Sequence, residues 1–254
     1  MNIAQETVKQ ARAVERGIEL LDRIDYRLAE TEEEKDEIYR LRYRAYLKEG
    51  AIEPNRDHRV TDRYDDLPNS WIFGVYFEGM LASSLRISVA SPEHPSTPSR
   101  SVFPDVMEPA IALGKIIVDP SRFVAEPSPA NRFPELPYMT LRLAFVACDY
   151  FHADIGLASV RAEHQSFYRR IFMHNVSPPR DYPGLTKQIG LLAIEFPSMR
   201  DKLFARYPFL RSTYFERRKL FERMSDRARP DSEVPVLASG RPSLVPVPDG
   251  GSHG

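Results

Sequence analysis

The stretch SWIFGVYFEGMLASSLRISVA, residues 70–90, reads as two strands. Both runs are apolar and rich in β-branched and aromatic residues, and Glu78-Gly79 between them marks a hairpin. Upstream, GAIEPNRDHRVTDRYDDLPN (50–69) is a polar loop. Before it, Thr31 with Glu34 fits a capping box, and the acidic run 32–37 suits a helix N-terminus. That helix is expected to reach about Lys48, with Ile38, Leu41, Ala45 and Tyr46 turned inward. DYRLAE (25–30) alternates as a strand does. Val8, Ala11, Val14, Ile18, Leu21 and Ile24, three and four residues apart, predict an amphipathic helix over 4–24.

Downstream, residues 91–110 are rich in proline and serine and read as a long loop. AIALGKIIVDP (110–120) reads as a buried central strand that Pro120 stops, and 121–137 as a second loop. A helix over 138–155, a strand over 156–162, a helix over 164–174 and a strand ending 185–196 complete the order. Helices and strands so arranged predict a central mixed, mostly antiparallel sheet flanked by helices, an α/β (α+β) class. Four segments follow: an N-terminal helix (1–24), the sheet domain (25–197), a basic helical extension (198–229) and a disordered tail (230–254).

The chain has 254 residues, 42% hydrophobic and 28% charged, enough for one sizeable core. A net charge of -1 calls for neither nucleic acid nor a membrane surface. The lone Cys148 excludes an internal disulfide framework and a multi-cysteine zinc site, and the histidines lack ligand spacing, so no metal is expected. The N-terminal stretch has no apolar signal-peptide core, and no run approaches the roughly 18 apolar residues of a spanning helix. A cytoplasmic protein without integral membrane association is the expectation.

Five stretches resemble the N-acyl amino acid synthases of the GNAT acyltransferase superfamily and their relatives, the acyl-homoserine-lactone (autoinducer) synthases. They are LRYRAY (41–46), VTDRYDD (60–66), SSLRI (83–87), VFPD (102–105) and VRAEHQSFYRRIF (160–172), followed by the similar PRDYPGLTKQIGLL (179–192). The resemblance covers roughly residues 30–196 and implies a GNAT fold with Arg42, Tyr46, Asp62, Asp65, Arg86 and Phe103 on the substrate side. It also implies an acyl-pantetheine arm entering beside the central strand, with the backbone of Lys115, Ile116, Ile117 and Val118 facing the thioester. Autoinducer synthases carry Glu-x-x-Arg in that strand. At the aligned place this chain reads Ala112-Leu113-Gly114-Lys115, which counts against the lactone reading.

Amide formation from a thioester needs a neutral amine, a polarised carbonyl and a stabilised oxyanion. Glu163, His164 and Asp65 are candidate general bases, and Tyr168 is a candidate proton donor to the leaving sulfur. Each has a plainer reading: a helix-start histidine for His164, a helix-dipole acid for Glu163, core packing for Tyr168. Arg42 and Arg86 could hold an amino acid carboxylate, or Arg86 could pair with Asp62 or Asp65. The segment after the central strand has no glycine and several prolines, so a pyrophosphate cradle for coenzyme A is missing. An acyl carrier protein, whose single phosphate Arg122 or Arg132 could meet, suits it better, and the basic extension could dock that acidic partner. The expected activity is therefore transfer of a fatty acyl group from acyl carrier protein to an amino acid, with the thioester as co-substrate and no cofactor. The alternatives are an acyl-homoserine-lactone synthase using S-adenosylmethionine, an acetyl-CoA-dependent N-acetyltransferase and a silent acyl-binding module.

Overall fold

The computed structural model describes residues 3–126 and 134–223. Helix α1 (Ile3–Leu21) leads into β1 (Ile24–Leu28) and α2 (Glu32–Lys48). The hairpin β2 (Ser70–Phe77) and β3 (Met80–Ala90) follows, then the short helices α3 (Pro98–Val102) and α4 (Pro104–Ala112). Next come β4 (Ile117–Ala125), α5 (Leu136–Tyr150), β5 (Ile155–Val160), a 3-10 turn (Ala162–His164) and α6 (Gln165–Arg170). Strands β6 (His174–Arg180) and β7 (Ile189–Glu195) and helices α7 (Phe196–Arg206) and α8 (Tyr214–Phe221) complete the order.

Seven strands form one sheet in the order β1-β2-β3-β4-β5-β7-β6. Every pair is antiparallel except β4 with β5. That parallel pair touches only at Ile117↔Ile155 and Val118↔Gly156, and beyond Val118 the two strands part.

The two faces of the sheet differ. Phe73, Val75, Leu85, Ile87 and Val118 point into the main core with α5. On the other face Ala90, Ile117, Leu157 and Leu191 pack beneath α3 and α4, and α2 covers Ile72 and Val124. Thr31 and Glu34 form the capping box expected for α2, and Ile38, Leu41 and Ala45 are buried; Tyr46 is half-buried.

Local signals misled in four places. Residues 91–97 are a loop as expected, but Pro98 and Pro104 start helices, occupying first-turn positions where a missing N–H costs nothing. Residues 110–112 end α4, not a strand. Gly114, at φ 80, takes the left-handed conformation that turns the chain into β4. Pro120 does not stop that strand, because β5 has left this flank of β4, where a residue without an N–H is tolerated. Strand β6 was not anticipated; it carries Pro178-Pro179 and survives as an edge strand paired only with β7.

Residues 198–221 are part of the core rather than an appendage. Leu203, Phe204, Tyr207, Phe209, Leu210, Leu220 and Phe221 are buried in the main cluster. The buried Arg142 of α5 donates to the carbonyls of Phe209 and Arg211 and pairs with Glu216. This segment also sets the face of α1: Leu20 and Gly17 turn inward while Ile18 is exposed. At Gly17 a Cβ would lie 2.5 Å from the Phe209 ring, so the approach needs a glycine. The chain up to Phe221 forms one compact unit. The tail expected over 230–254 and the end of the expected extension lie outside the described residues.

Candidate active site

The polar loop after α2 folds back over the sheet and buries its carboxylates against arginines. Arg42, fully buried on α2, donates from Nη1 to both oxygens of Asp65 at 2.9 and 3.0 Å. Arg86, fully buried on β3, donates from Nη1 to Asp65 Oδ1 at 2.8 Å and Asp62 Oδ1 at 2.5 Å, and from Nε to Ser121 at 3.0 Å. Arg122 of β4 donates from Nε and Nη2 to Asp62 Oδ2 at 3.0 and 2.7 Å. The Asp62 amide donates to Asp65 Oδ2 at 3.0 Å, so the loop also ties itself together. Arg122 adopts φ 55 beside an irregularity in the β3–β4 register. A non-glycine residue there stores about 1–3 kcal/mol of strain. The turn directs its guanidinium at Asp62 and over the Tyr46 ring, 5.7 Å away.

Three arginines against two aspartates leave one positive charge in excess. Burial works against ionisation of Asp62, but Arg86 and Arg122 outweigh it and hold its carboxyl well below the usual range. Burial lowers the pKa of Arg42 despite the attraction of Asp65. Arg42 Nε and Nη2 and Arg86 Nη2 are buried without a hydrogen-bond partner among the described residues.

A second carboxylate group lies where the strands part. Asp119 of β4 is fully buried and accepts from the Ser99 amide at 2.8 Å and the Ser99 hydroxyl at 2.6 Å. The same Ser99 hydroxyl lies 2.7 Å from that of Ser159 on β5, so one serine of α3 bridges the opening between the strands. Burial raises the pKa of Asp119, opposed by its bonds to Ser99 and by the field of Arg86. Tyrosines surround this opening. Tyr46 is within electrostatic reach of both Tyr168 and Arg122, and Tyr182 is within reach of Arg122, Asp119, Arg86 and Asp62. Burial pushes the phenols of Tyr168 and Tyr182 up, so both stay neutral.

The structure therefore brings Arg42, Tyr46, Asp62, Asp65, Arg86 and Arg122 together, with Tyr168 beyond Tyr46. Others lie elsewhere. Phe103 is fully buried in the core beneath α3 and α4, with Arg180 over its ring. The Lys115 amide donates to the Ala110 carbonyl at 3.1 Å and the Ile116 amide to Asp154 at 2.9 Å. Ile117 and Val118 pair with strands on both sides, so the open flank of β4 begins after this segment rather than within it. Glu163 and His164 stand exposed on the 3-10 turn. There Arg161 contacts the His164 ring at 2.8 Å, lies 3.4 Å from Glu163 and pairs with Glu49. Arg122 is taken up by Asp62, and Arg132 lies outside the described residues.

Asp119, Ser99, Ser159 and Tyr182 escaped the sequence reading. For Asp119 a signal existed. Asp119-Pro-Ser-Arg122 has the carboxylate-x-x-arginine spacing sought in the central strand, with aspartate for glutamate. A strand expected over 110–120 and stopped by Pro120 leaves Arg122 outside it and conceals the spacing. Among the described residues no group of three or more His, Cys, Asp or Glu could hold a metal ion, and no helix is long and apolar enough to cross a membrane.

A mixed sheet that opens between its two parallel strands has the GNAT-type fold, and the family match makes the protein an amide-forming N-acyltransferase. The model of the FeeM N-acyl amino acid synthase family matches residues 37–195, and the chain belongs to that family. The solved structure of FeeM, an N-acyl amino acid synthase from uncultured soil microbes, is similar with TM-score 0.61 and 15% identity. That match covers 72% of this chain and 97% of FeeM. The AHL synthase LasI matches with TM-score 0.51 and 14% identity over 67% of this chain and 89% of LasI. MesI, a CoA-dependent acyl-homoserine lactone synthase, matches with TM-score 0.51 and 16% identity over 73% of this chain and 95% of MesI. At these identities the structural likeness speaks for the fold alone. No curated protein matches the sequence.

Proposed function

We propose that the protein transfers a fatty acyl group from acyl carrier protein to the amine of an amino acid. The observation that carries this reading is Asp119 with Arg122, set where β4 and β5 part and beside the buried Asp62–Arg86 network. A thioester arm laid along the open flank of β4 would bring its carbonyl to this point. The neutral amine attacks the thioester carbon, the C–S bond breaks, and the amine loses a proton as the amide forms. Asp119, buried at the parting of the strands with its pKa raised by burial, is our candidate acceptor of that proton. Glu163 and His164, on the exposed rim, are the alternatives. Tyr168, buried and neutral, is the candidate donor to the departing thiolate. The unpaired guanidinium nitrogens of Arg42 and Arg86 favour an anionic substrate group nearby, such as an amino acid carboxylate.

The choice of carrier protein over coenzyme A is supported by the glycine-free segment after β4, which offers no turn of converging N–H groups to a pyrophosphate. The reaction runs in the cytoplasm in this reading and needs no cofactor beyond the thioester.

The test is free-thiol release from long-chain acyl carrier protein and from the matching acyl-CoA, each with the twenty amino acids, with products identified by mass spectrometry. N-acyl amino acid formed faster from the carrier protein supports the proposal, and a preference for acyl-CoA overturns the donor. Acyl-homoserine lactone formed with S-adenosylmethionine, and none with amino acids, overturns the acceptor.

A further inference from the structure

The connection between β6 and β7, residues 181–188, lies across the site and is pinned at both ends. On one side Arg180 pairs with Asp105 at 2.7 and 2.8 Å and donates to the Val102 carbonyl at 3.0 Å. On the other, the Thr186 hydroxyl donates to the Gly50 carbonyl at 2.7 Å and its amide to that of Ala51 at 3.0 Å. Gly50 and Ala51 begin the loop that carries Asp62 and Asp65, so this connection and that loop form one continuous rim. Tyr182 sits between the two clasps and packs against the core that holds Ile117 and Leu157, the β4 and β5 residues beside the opening.

The Tyr182 hydroxyl has no hydrogen-bond partner among the described residues, although Arg122, Asp119, Arg86 and Asp62 all act on it. The nearby carboxylates are occupied: Asp119 by Ser99, Asp62 by Arg86 and Arg122. A half-buried phenol beside an arginine cluster whose guanidinium nitrogens are not all paired is suited to donate to an anion supplied from outside. Three buried guanidinium nitrogens of Arg42 and Arg86 without partners add to that deficit of acceptors.

We propose that Tyr182 is the acceptor-positioning residue, its hydroxyl donating to the carboxylate of the amino acid beside Arg122. This rests on the amino acid being the acyl acceptor. The enzyme then selects acceptors with a free carboxylate over neutral amines, and residues 181–188 wall the acceptor side of the cleft.

Calorimetric titration of the full chain with free amino acids, and with the primary amide of the tightest binder, tests this without requiring turnover. The wild type is expected to bind the acid more tightly than the amide. Tyr182→Phe is expected to weaken the acid by roughly ten- to a hundred-fold, the loss of one hydrogen bond to a charged group, and to leave the amide unchanged. Tyr182→Leu, which removes the donor with a different shape, must repeat the loss of discrimination. In turnover, Tyr182→Phe should raise KM for the amino acid and leave kcat and the KM of the acyl donor in place. An unchanged acid-to-amide ratio in both variants overturns the proposal, as does equal weakening of acid and amide or a wild type that binds no amino acid. Thiol release separates the two readings. Discrimination that depends on Tyr182 without acyl transfer sinks the proposed reaction and leaves the carboxylate subsite. Transfer to amino acids with an unmoved ratio does the reverse.

Discussion

One face of the sheet is packed with carbon, and the other sets a buried charged cluster among smaller apolar ones. Under α5, α7 and α8 the interior is aromatic and aliphatic; Phe73, Trp71, Phe151 and Phe221 meet with ring centroids 5.0–6.0 Å apart. On the other face β3 and β4 turn Arg86 and Ser121 toward the aspartate loop beneath α2, Ser88 toward Ser70, and Asp119 toward Ser99 of α3. Period-two alternation makes this possible: Leu85 and Ile87 go to one side, Arg86 and Ser88 to the other. The aromatic face holds the fold by removing apolar area from water. The charged face is a poor source of stability, since desolvating ions offsets most of their attraction. Its presence in the interior is best explained by the chemistry proposed for it.

That contrast can be broken at Asp119 first. Asp119→Asn is expected to lower kcat by about 10²–10⁴-fold, the usual range for a lost general base, with no loss of stability at neutral pH. Thiol release and thermal melts measure the two sides, and full activity in the variant would remove Asp119 from the mechanism.

Next in size is the buried pair Arg42–Asp65. Asp65→Ala leaves Arg42 and Arg86 short of an acceptor and should cost about 3–5 kcal/mol in denaturant unfolding. The double variant Arg42→Met with Asp65→Leu should recover much of that, because a well-packed apolar pair rivals a buried ion pair. If the double variant is as unstable as the single, the charged face is a substantial source of stability after all.

The two carboxylates should also answer to pH in opposite senses. Asp62 has a folded pKa depressed below its unfolded value of about 3.9. Its contribution is present above pH 4 and is lost as the pH falls through the folded value. Asp119 has a raised folded pKa, so its ionisation weakens the fold as the pH climbs above about 4 toward that value. Melting temperature against pH should therefore flatten at the acid end in Asp62→Asn and improve at the neutral end in Asp119→Asn. Parallel curves for both variants would contradict the assignment.

The smallest effect lies on the carbon face. Gly17→Ala sets a methyl against Phe209 and should cost about 1–3 kcal/mol by overpacking, with kcat unchanged. A drop in kcat at full stability would mean that α1 reaches the site after all.

Much of this was legible in the residues. The capping box of Thr31 and Glu34, the inward stripe Ile38-Leu41-Ala45 and the turn at Glu78-Gly79 are local choices, set by a few neighbouring residues, and the structure keeps them. The motifs that carry the family also named Arg42, Asp62, Asp65 and Arg86, which meet in one network. Long-range contacts decided the rest. Whether Pro120 ends a strand depends on whether β5 still lies beside it, and β5 belongs to a segment 35 residues further on. That one contact moved the central strand and concealed Asp119-x-x-Arg122. It also shifted the open backbone flank past Lys115–Val118. His164 looked like a cleft residue because a strand gives way to a turn there, yet only the packing of Arg161 and Glu49 determines that it faces solvent. Sequence by itself determined most element types, the family and four members of the buried network, Arg42, Asp62, Asp65 and Arg86, because propensity, capping and motif spacing act over a few residues. Tertiary structure alone decided which amides remain open, which carboxylate sits at the parting of the strands and that Tyr182 lies within its electrostatic reach, because each depends on where distant strands meet and separate.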